Sequence, residues 1–176
     1  DVTRAELKAA GFEVALSESF TAGEKDYTAL VSKMKDAGVE AIYIGGYHPE
    51  EGVIARQMAE QGLKAQIISG DSMNNIEFWT IAGTAGEGLI FTFAPEPRNI
   101  PAAKAVVEKF KASGYDPEGY ALYTYAAIQE YAAAATATKG FDNKAIAAWL
   151  RAGNPVDTVL GTIVMDAKGD IKDAKY

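Results

Sequence analysis

The sequence contains no cysteine, a single histidine and no cluster of basic residues. Without cysteine there is no disulfide, no thiolate metal site and no cysteine nucleophile. The formal net charge of −7 at pH 7, with no lysine- or arginine-rich stretch, argues against nucleic acid or an anionic membrane as a partner. No apolar run approaches the roughly 20 residues that cross a bilayer. These absences argue against a disulfide-rich protein, an enzyme with a cysteine nucleophile, a nucleic-acid-binding protein and a protein with a membrane-spanning helix.

The composition is that of an ordinary globular protein. The chain has 176 residues, of which 48% are hydrophobic and 23% are charged, enough for one domain or slightly more. It opens on "DVTRAELKAAGF", without methionine and within a helical pattern, so we expect a mature or truncated product.

Strand-like and helix-like segments alternate through the first half of the chain. The patterns predict helices over 1–10, 26–37, 48–62 and 74–86, and strands over 12–20, 39–46, 63–71 and 87–95. Such alternation indicates βαβ units and a mostly parallel sheet, and therefore an α/β fold. Because the predicted strands are apolar runs, we expect helices to cover both faces of the sheet.

The pattern changes after the proline-containing segment 94–101. Three helices are predicted over 101–113, 119–138 and 142–152 with no strand between them, followed by a linker at 154–156. The last stretch, "VLGTIVMDAKGDIKDAKY", predicts a strand and a reverse turn. These helices have apolar faces but no sheet of their own, and we favour a partner outside this sequence for them.

Two predicted strand ends carry groups suited to ligand binding, which in open parallel sheets takes place beyond the carboxyl ends of the strands. In "YIGGYHPEE", Gly45 and Gly46 permit a close approach of the backbone to a ligand, and Tyr47 follows them. In "SGDSMNN", Asp71 ends the next strand. A carboxylate in a cleft favours an ammonium group, and tyrosine offers an apolar face with a polar tip. Together, Tyr47 and Asp71 predict half of an amino-acid site.

Simpler interpretations of these residues remain open. Tyr47 could pack as an ordinary core side chain, and Asp71 could be the N-cap of the helix at 75–82. His48 is more simply a turn residue bonded to backbone than a metal ligand. Glu50 and Glu51 lie in the first turn of a helix, where the helix dipole favours acids.

No catalytic motif is present, and we expect no enzyme, metal or cofactor. There is no GxSxG sequence and no Walker loop, and "GTAGEG" precedes a strand instead of opening a helix. Asp166 and Asp170 lack the spacing of a calcium-binding EF-hand loop, and a reverse turn explains them. The aromatic residues between 120 and 131 have the spacing of a helix core, except that Tyr120 stands at the N-terminal end of its helix.

Several stretches, in this order, resemble the ABC-transporter substrate-binding proteins of the leucine/isoleucine/valine type, which have the type I periplasmic binding fold. They are "TAGEKDYTALVSKMKDAGVEAIYIGGYHPEEG", "ARQMAEQGLKAQIISGD", "AGTAGEGLIFT", "YALYTYAAIQEYAAA" and "GTIVMDAKGD". The resemblance implies a three-layer α/β lobe with a parallel sheet, plus helices of a partner lobe. It assigns residues 1–93 to most of the second lobe, and 94–157 to hinge crossings and the helical part of the first lobe. Residues 158–176 would return to the second lobe.

The resemblance also assigns roles to individual residues. Tyr47 matches the tyrosine beside the ligand carboxylate, and Asp71 matches an acid that binds the α-amino group, although glutamate is common there. Tyr120 matches an aromatic position that lines the pocket from the first lobe. The serine and threonine contacts of the first lobe fall outside this sequence.

The resemblance implies a periplasmic component of an ABC importer that captures an aliphatic amino acid and delivers it to a membrane permease. One alternative is a ligand-sensing lobe of a receptor or regulator, or a binding protein for an amide or aromatic acid. Asp71 argues against a purely anionic ligand, because it repels a carboxylate at short range. A third interpretation is an excised half, which would associate with itself, exchange helices or retain the missing N-terminal half.

Overall fold

The computed structural model describes residues 2–174, and the chain divides into two compact units between Thr92 and Phe93. The helices are α1 Val2–Ala9, α2 Thr28–Asp36, α3 His48–Glu60, α4 Ile76–Ala82, α5 Lys104–Ala112, α6 Ala121–Thr138 and α7 Asn143–Arg151. The strands are β1 Ala41–Ile44, β2 Gln66–Ser69, β3 Ile90–Phe91, β4 Val156–Thr158 and β5 Gly161–Ile163. Short 3-10 helices occupy Asp71–Met73, Gly83–Gly86, Pro97–Asn99 and Pro101–Ala103.

A parallel sheet organises the first unit, which confirms the predicted α/β class. Its strand order is β1-β2-β3, with both pairs parallel. Ile44 lies opposite Ser69, which lies opposite Phe91. The carboxyl ends of the three strands therefore meet at one edge of the sheet.

Only one face of this sheet is covered within the described residues. Ile44 and Ile67 are buried on that face in the core built with α2, α3 and α4. On the other face, Tyr43 and Ile90 keep 52% and 56% of their surface exposed. The expectation that helices cover both faces is thus met on one face alone.

The predicted strand at 12–20 is wrong, because these residues adopt neither helix nor strand. Leu16 and Phe20 still pack against the core of the first unit, whereas Phe12 is 65% exposed. Alternating apolar residues form a strand only when a neighbouring strand supplies hydrogen-bond partners. No strand in the described part of the chain pairs with this segment.

The second unit is built from the predicted helices and a β-hairpin. The strands β4 and β5 pair antiparallel, with Thr158 opposite Gly161, so the single strand expected here is a hairpin that begins inside the predicted linker. Gly161 has φ +95°, a conformation that glycine adopts without strain and that the tight turn requires. Val159 and Ile163 are buried in one cluster with Leu122 of α6. Core packing thus groups the hairpin with the helices of the second unit.

The predicted reverse turn after β5 is present. The carboxylate of Asp166 accepts hydrogen bonds from the backbone N–H groups of Lys168, Gly169 and Asp170, at 2.9, 2.8 and 2.9 Å. These bonds, first that from Asp170, hold the pKa of Asp166 below its ordinary value. The carboxylate therefore serves the turn itself.

Candidate functional site

The loops that follow β1 and β2 are joined directly at the carboxyl edge of the sheet. Oγ of Ser72 donates a hydrogen bond of 2.8 Å to the carbonyl oxygen of Gly46. Gly46 immediately precedes Tyr47, and Ser72 immediately follows Asp71. The bond therefore connects the two segments that carry the candidate ligand residues.

Two neighbouring side chains, those of Glu51 and Phe20, constrain Gly46. Its N–H donates a 3.2 Å hydrogen bond to Oε1 of Glu51, and an added Cβ would lie 2.7 Å from Cζ of Phe20. The glycine pair was expected to allow a close approach of a ligand. Phe20, which the sequence placed in a strand, already requires glycine at position 46.

Tyr47 is the N-cap residue of α3, with an extended backbone and no side-chain cap bond. Pro49 lies in the first turn of the helix, as predicted. The Tyr47 side chain is 69% exposed, so the interpretation of Tyr47 as a packed core residue is wrong. Its ring and hydroxyl are accessible at the carboxyl edge of the sheet.

Asp71 opens the 3-10 helix Asp71–Met73 directly after β2 and is exposed. The N-cap residue of α4 is Asn75, whose Oδ1 accepts a 2.8 Å hydrogen bond from the N–H of Glu77. The capping role considered for Asp71 thus belongs to Asn75. Asp71 supplies an exposed carboxylate two residues beyond the end of β2.

His48 joins the first turns of two helices. Its Nε2 lies 3.0 Å from Oε2 of Glu77, so α3 and α4 are linked by a side-chain pair. The predicted backbone partner for His48 is therefore wrong. Among residues 2–174, no group of three or more His, Asp or Glu side chains is arranged to hold a metal ion.

Glu51 is the residue that the sequence interpretation missed. It is fully buried, whereas the sequence interpretation explained it by the helix dipole in the first turn of a helix. Oε1 lies 2.9 Å from Oγ of Ser69 and accepts from Gly46 N–H, whereas Oε2 has no hydrogen-bond partner. Burial raises the pKa of Glu51 to about 7; the bonds from Ser69 and Gly46 oppose this rise, and the charge of Glu50 adds to it.

A signal for this burial exists in the sequence. Glu51 shares one face of α3 with Ile54, Ala55 and Met58, at the spacing of a buried helical stripe. A carboxyl group within an apolar stripe is unusual, because burying it costs free energy. The helix dipole explains an acid in the first turn, but it does not explain this position.

Tyr120 lies in the second unit, at the N-terminal end of α6 as predicted. Its ring contacts Phe93 and Tyr123 edge-on, with centroid distances of 5.2 and 6.1 Å, and 50% of its surface is exposed. The hydroxyl of Tyr123 donates a 2.8 Å hydrogen bond to the carbonyl oxygen of Pro95. This bond anchors the aromatic group that surrounds Tyr120.

Two other aromatic residues of α6, Tyr125 and Tyr131, are not core residues, contrary to the prediction. Tyr125 and Tyr131 are 39% and 38% exposed, and Ile128 between them is 65% exposed. The helix is apolar on nearly all sides, but neighbouring elements cover only the side that carries Leu122 and Ala126. Even so, no helix among the described residues has the length and apolarity needed to span a membrane.

Comparison with known proteins gives a consistent family relationship. The family described as periplasmic binding protein matches residues 1–173. The chain is 48% identical over 176 residues to Leu/Ile/Val-binding protein homolog 1 of Brucella suis biovar 1 (strain 1330), covering 100% of this chain and 47% of that relative. It is 47% identical over 178 residues to the amino acid binding protein of Pseudomonas aeruginosa (strain PAO1), covering 100% and 47%. The chain spans about half the length of the curated relatives it matches.

Solved structures agree with this relationship. The chain superposes on the leucine binding protein LivK of Thermotoga maritima MSB8 with a TM-score of 0.83 and 31% sequence identity. The match covers 96% of this chain and 49% of that one. The type I periplasmic binding fold expected from the sequence is thus confirmed.

Proposed function

The chain belongs to the periplasmic binding protein family, and we propose that it forms about half of a receptor that captures an aliphatic amino acid for an ABC importer. One observation carries the proposal: Tyr47 and Asp71 stand on adjacent strand ends, in loops joined by the Ser72–Gly46 hydrogen bond. Both side chains are exposed at the edge where parallel sheets bind ligands. Relatives named for leucine, isoleucine and valine binding support this class of ligand.

The chemistry of the two residues suits the two ends of an amino acid. The Asp71 carboxylate pairs with the α-ammonium group, and the Tyr47 hydroxyl donates a hydrogen bond to the α-carboxylate. Gly46 brings backbone close to this site, and the pocket-lining role that the resemblance gives Tyr120 stays a prediction. In this proposal, the lobes are divided as the resemblance implies: 1–93 is most of the second lobe, 94–157 carries the hinge crossings and first-lobe helices, and 158–176 returns to the second lobe.

A second part of the proposal concerns what covers α6. Tyr125, Ile128 and Tyr131 form a row of exposed apolar side chains on a helix that is apolar almost throughout. We propose that the remaining half of a longer polypeptide covers this row, because relatives are about twice as long as this chain. Self-association through the same helices is the alternative outcome. A membrane permease would take the ligand from the assembled receptor in the periplasm.

The experiment is a calorimetric titration of leucine into the polypeptide that contains this chain together with the other lobe. Replacement of Asp71 by Ala should weaken leucine binding by at least about 30-fold, because it leaves the ammonium group without its charged partner. Asp71→Glu keeps the charge and should retain most of the affinity. Glu77→Gln removes a carboxylate at the start of α4 and serves as the matched control. Unchanged leucine affinity in Asp71→Ala would refute the assignment.

A further inference from the structure

A buried carboxyl group lies against the ligand-bearing loop without being one of the proposed ligand contacts. We propose that Glu51, as a neutral acid, is a positioning residue that fixes the Gly46 peptide and thereby the placement of Tyr47. The inference rests on the proposed function for its effect on amino-acid binding. The geometry of the Gly46 peptide does not depend on that function.

Both polar groups of Gly46 are held by side chains from different elements. The N–H donates to Oε1 of Glu51 on α3, at 3.2 Å, and the C=O accepts from Oγ of Ser72 after β2, at 2.8 Å. Phe20 fills the space where a side chain would stand at position 46. Because peptide groups are planar, bonds to the N–H and C=O of Gly46 restrict the direction in which the chain enters Tyr47.

Both hydrogen bonds of Glu51 are accepted by Oε1, one from Oγ of Ser69 and one from the N–H of Gly46. Oγ of Ser69 lies 3.0 Å from the carbonyl oxygen of Ile44 and 2.9 Å from Oε1 of Glu51. A hydroxyl has a single hydrogen, and a carbonyl oxygen can only accept. The single hydrogen of Ser69 is therefore shared between Oε1 of Glu51 and the carbonyl oxygen of Ile44.

Ionisation of Glu51 would disturb this arrangement. The hydroxyl of Ser69 would turn to the carboxylate and leave Ile44, and negative charge would reach Oε2, which is buried without a partner. In an unchanged position the carboxylate would hold Gly46 N–H more tightly, but a buried charge without a partner at Oε2 shifts its side chain towards water, and this movement takes Oε1 away from Gly46 N–H. The position of the Tyr47 side chain should therefore change when Glu51 loses its proton.

The groups that shift the pKa of Glu51 are Ser69, Gly46 and Glu50, and none of them is a cation. Burial raises its pKa to about 7, and the neighbouring charge of Glu50 acts in the same direction. Titratable groups stand on the elements that pack around it: Glu50 and His48 on α3, Glu77 on α4, Asp71 after β2, and Asp26 before α2. The cations on α3 and α2 have other partners, since Arg56 pairs with Glu60, Lys33 pairs with Glu18, and Lys35 donates to the carbonyl oxygen of Gln61.

The first test needs no ligand. It follows the amide signal of Gly46 by 1H–15N NMR between pH 5 and 9, in the polypeptide that contains this chain. We expect the signal to shift with a midpoint near 7, and the Tyr47 ring signals to shift with the same midpoint. Glu51→Gln should abolish both shifts, because glutamine keeps an acceptor oxygen for Ser69 and Gly46 without titrating. Glu50→Gln, the matched control, should retain them with a slightly lower midpoint.

Two results would overturn the inference. One is a Gly46 signal that does not respond to pH in the unaltered protein. The other is an unchanged midpoint in Glu51→Gln. If Glu51→Gln does not fold, the titration of the unaltered protein decides, because a Tyr47 ring that stays fixed while Gly46 titrates removes the positioning role.

The second test measures leucine affinity against pH. We expect the unaltered protein to lose about tenfold in affinity as pH rises through 7, whereas Glu51→Gln binds equally at pH 5.5 and 8.5. Glu51→Ala should bind about tenfold more weakly at pH 5.5, and the rescue by glutamine separates hydrogen bonding from simple burial. Equal pH profiles in unaltered protein and Glu51→Gln would contradict the role in binding. If leucine binds to none of the proteins, the proposed function fails, while the NMR titration still decides the role of Glu51.

Discussion

Oε1 of Glu51 lies 2.9 Å from Oγ of Ser69, and both side chains are buried, with 0% and 1% of their surface exposed. This contact connects the first turn of α3 to the last residue of β2. It places an ionisable group in the core of the first unit, beside the loop that carries Tyr47. A group in this position makes folding depend on pH, because its proton is held more tightly in the folded state.

The stability of the first unit should therefore depend on pH through Glu51. The pKa of Glu51 rises from 4.5 to about 7 on folding, so stability is highest below pH 4.5 and decreases as pH rises towards 7. The loss is on the order of 3 kcal/mol, since one pKa unit corresponds to about 1.4 kcal/mol. Urea unfolding between pH 4 and 8 measures it. Glu51→Gln should remove this component and Glu50→Gln should not; a decrease of equal size in Glu51→Gln would contradict the assignment.

Gly52 should not tolerate a larger side chain. An added Cβ would lie 2.9 Å from Cβ of Ile81 and 3.3 Å from the carbonyl oxygen of Phe78, where α3 packs against α4. Alanine normally stabilises a helix interior by about 1 kcal/mol over glycine, but overpacking costs about 1–3 kcal/mol. We expect Gly52→Ala to lower the free energy of unfolding by about 1 kcal/mol. Gly70→Ala, with open space around the added carbon, is the control, and a stabilised Gly52→Ala protein would show that the helices separate easily.

Asn75 should contribute the N-cap of α4. Its Oδ1 accepts a hydrogen bond from Glu77 N–H, one of the four N–H groups that the helix leaves unpaired. Asn75→Ala should cost about 1 kcal/mol in unfolding experiments, whereas Asn75→Asp keeps the acceptor and most of the stability. Equal stability of the alanine and aspartate variants would show that the cap contributes nothing.

Replacement of Lys139 by glycine should stabilise the protein against thermal unfolding. Lys139 ends α6 with φ +56°, the one non-glycine residue with positive φ among residues 2–174. A side chain in this left-handed conformation costs about 1 kcal/mol, which glycine avoids. Thermal unfolding should show Lys139→Gly to be more stable by roughly this amount, and Lys139→Ala to change little. Destabilisation by glycine would mean that its extra freedom in the unfolded chain outweighs the relief of strain.

Local sequence patterns were sufficient to predict most of the helices and strands of the first unit. Apolar runs ending at Gly45 and at Gly70 located β1 and β2, and Pro49 located the start of α3, because backbone preferences act over a few residues. The proposed ligand residues Tyr47 and Asp71 followed from those strand ends. Their adjacency needed only the pairing of consecutive parallel strands.

Other features depended on neighbours distant in the chain. The alternation at 12–20 predicted a strand, but a strand needs a neighbouring strand as its hydrogen-bond partner. Leu16 and Phe20 pack against the core without forming a strand. Phe20 in turn explains why position 46 requires glycine, because the Phe20 ring occupies the space of a side chain there. The two residues are about 26 positions apart, so no local pattern reveals this relation. The exposed aromatic residues of α6 show the same dependence, since a helical stripe predicts burial only where another element covers it.

By itself, the sequence determined the α/β class, the family and the strand ends that carry Tyr47 and Asp71, because propensity, periodicity and motif are properties of short segments. Only the tertiary structure decided that Glu51 is buried and that Ser69, Ser72 and Phe20 surround the Gly46 peptide. Burial and hydrogen bonding depend on residues that are distant in the chain but adjacent in the fold. An acidic residue in a first helical turn is therefore solvated and charged, or buried and neutral, according to the side chains that pack on it.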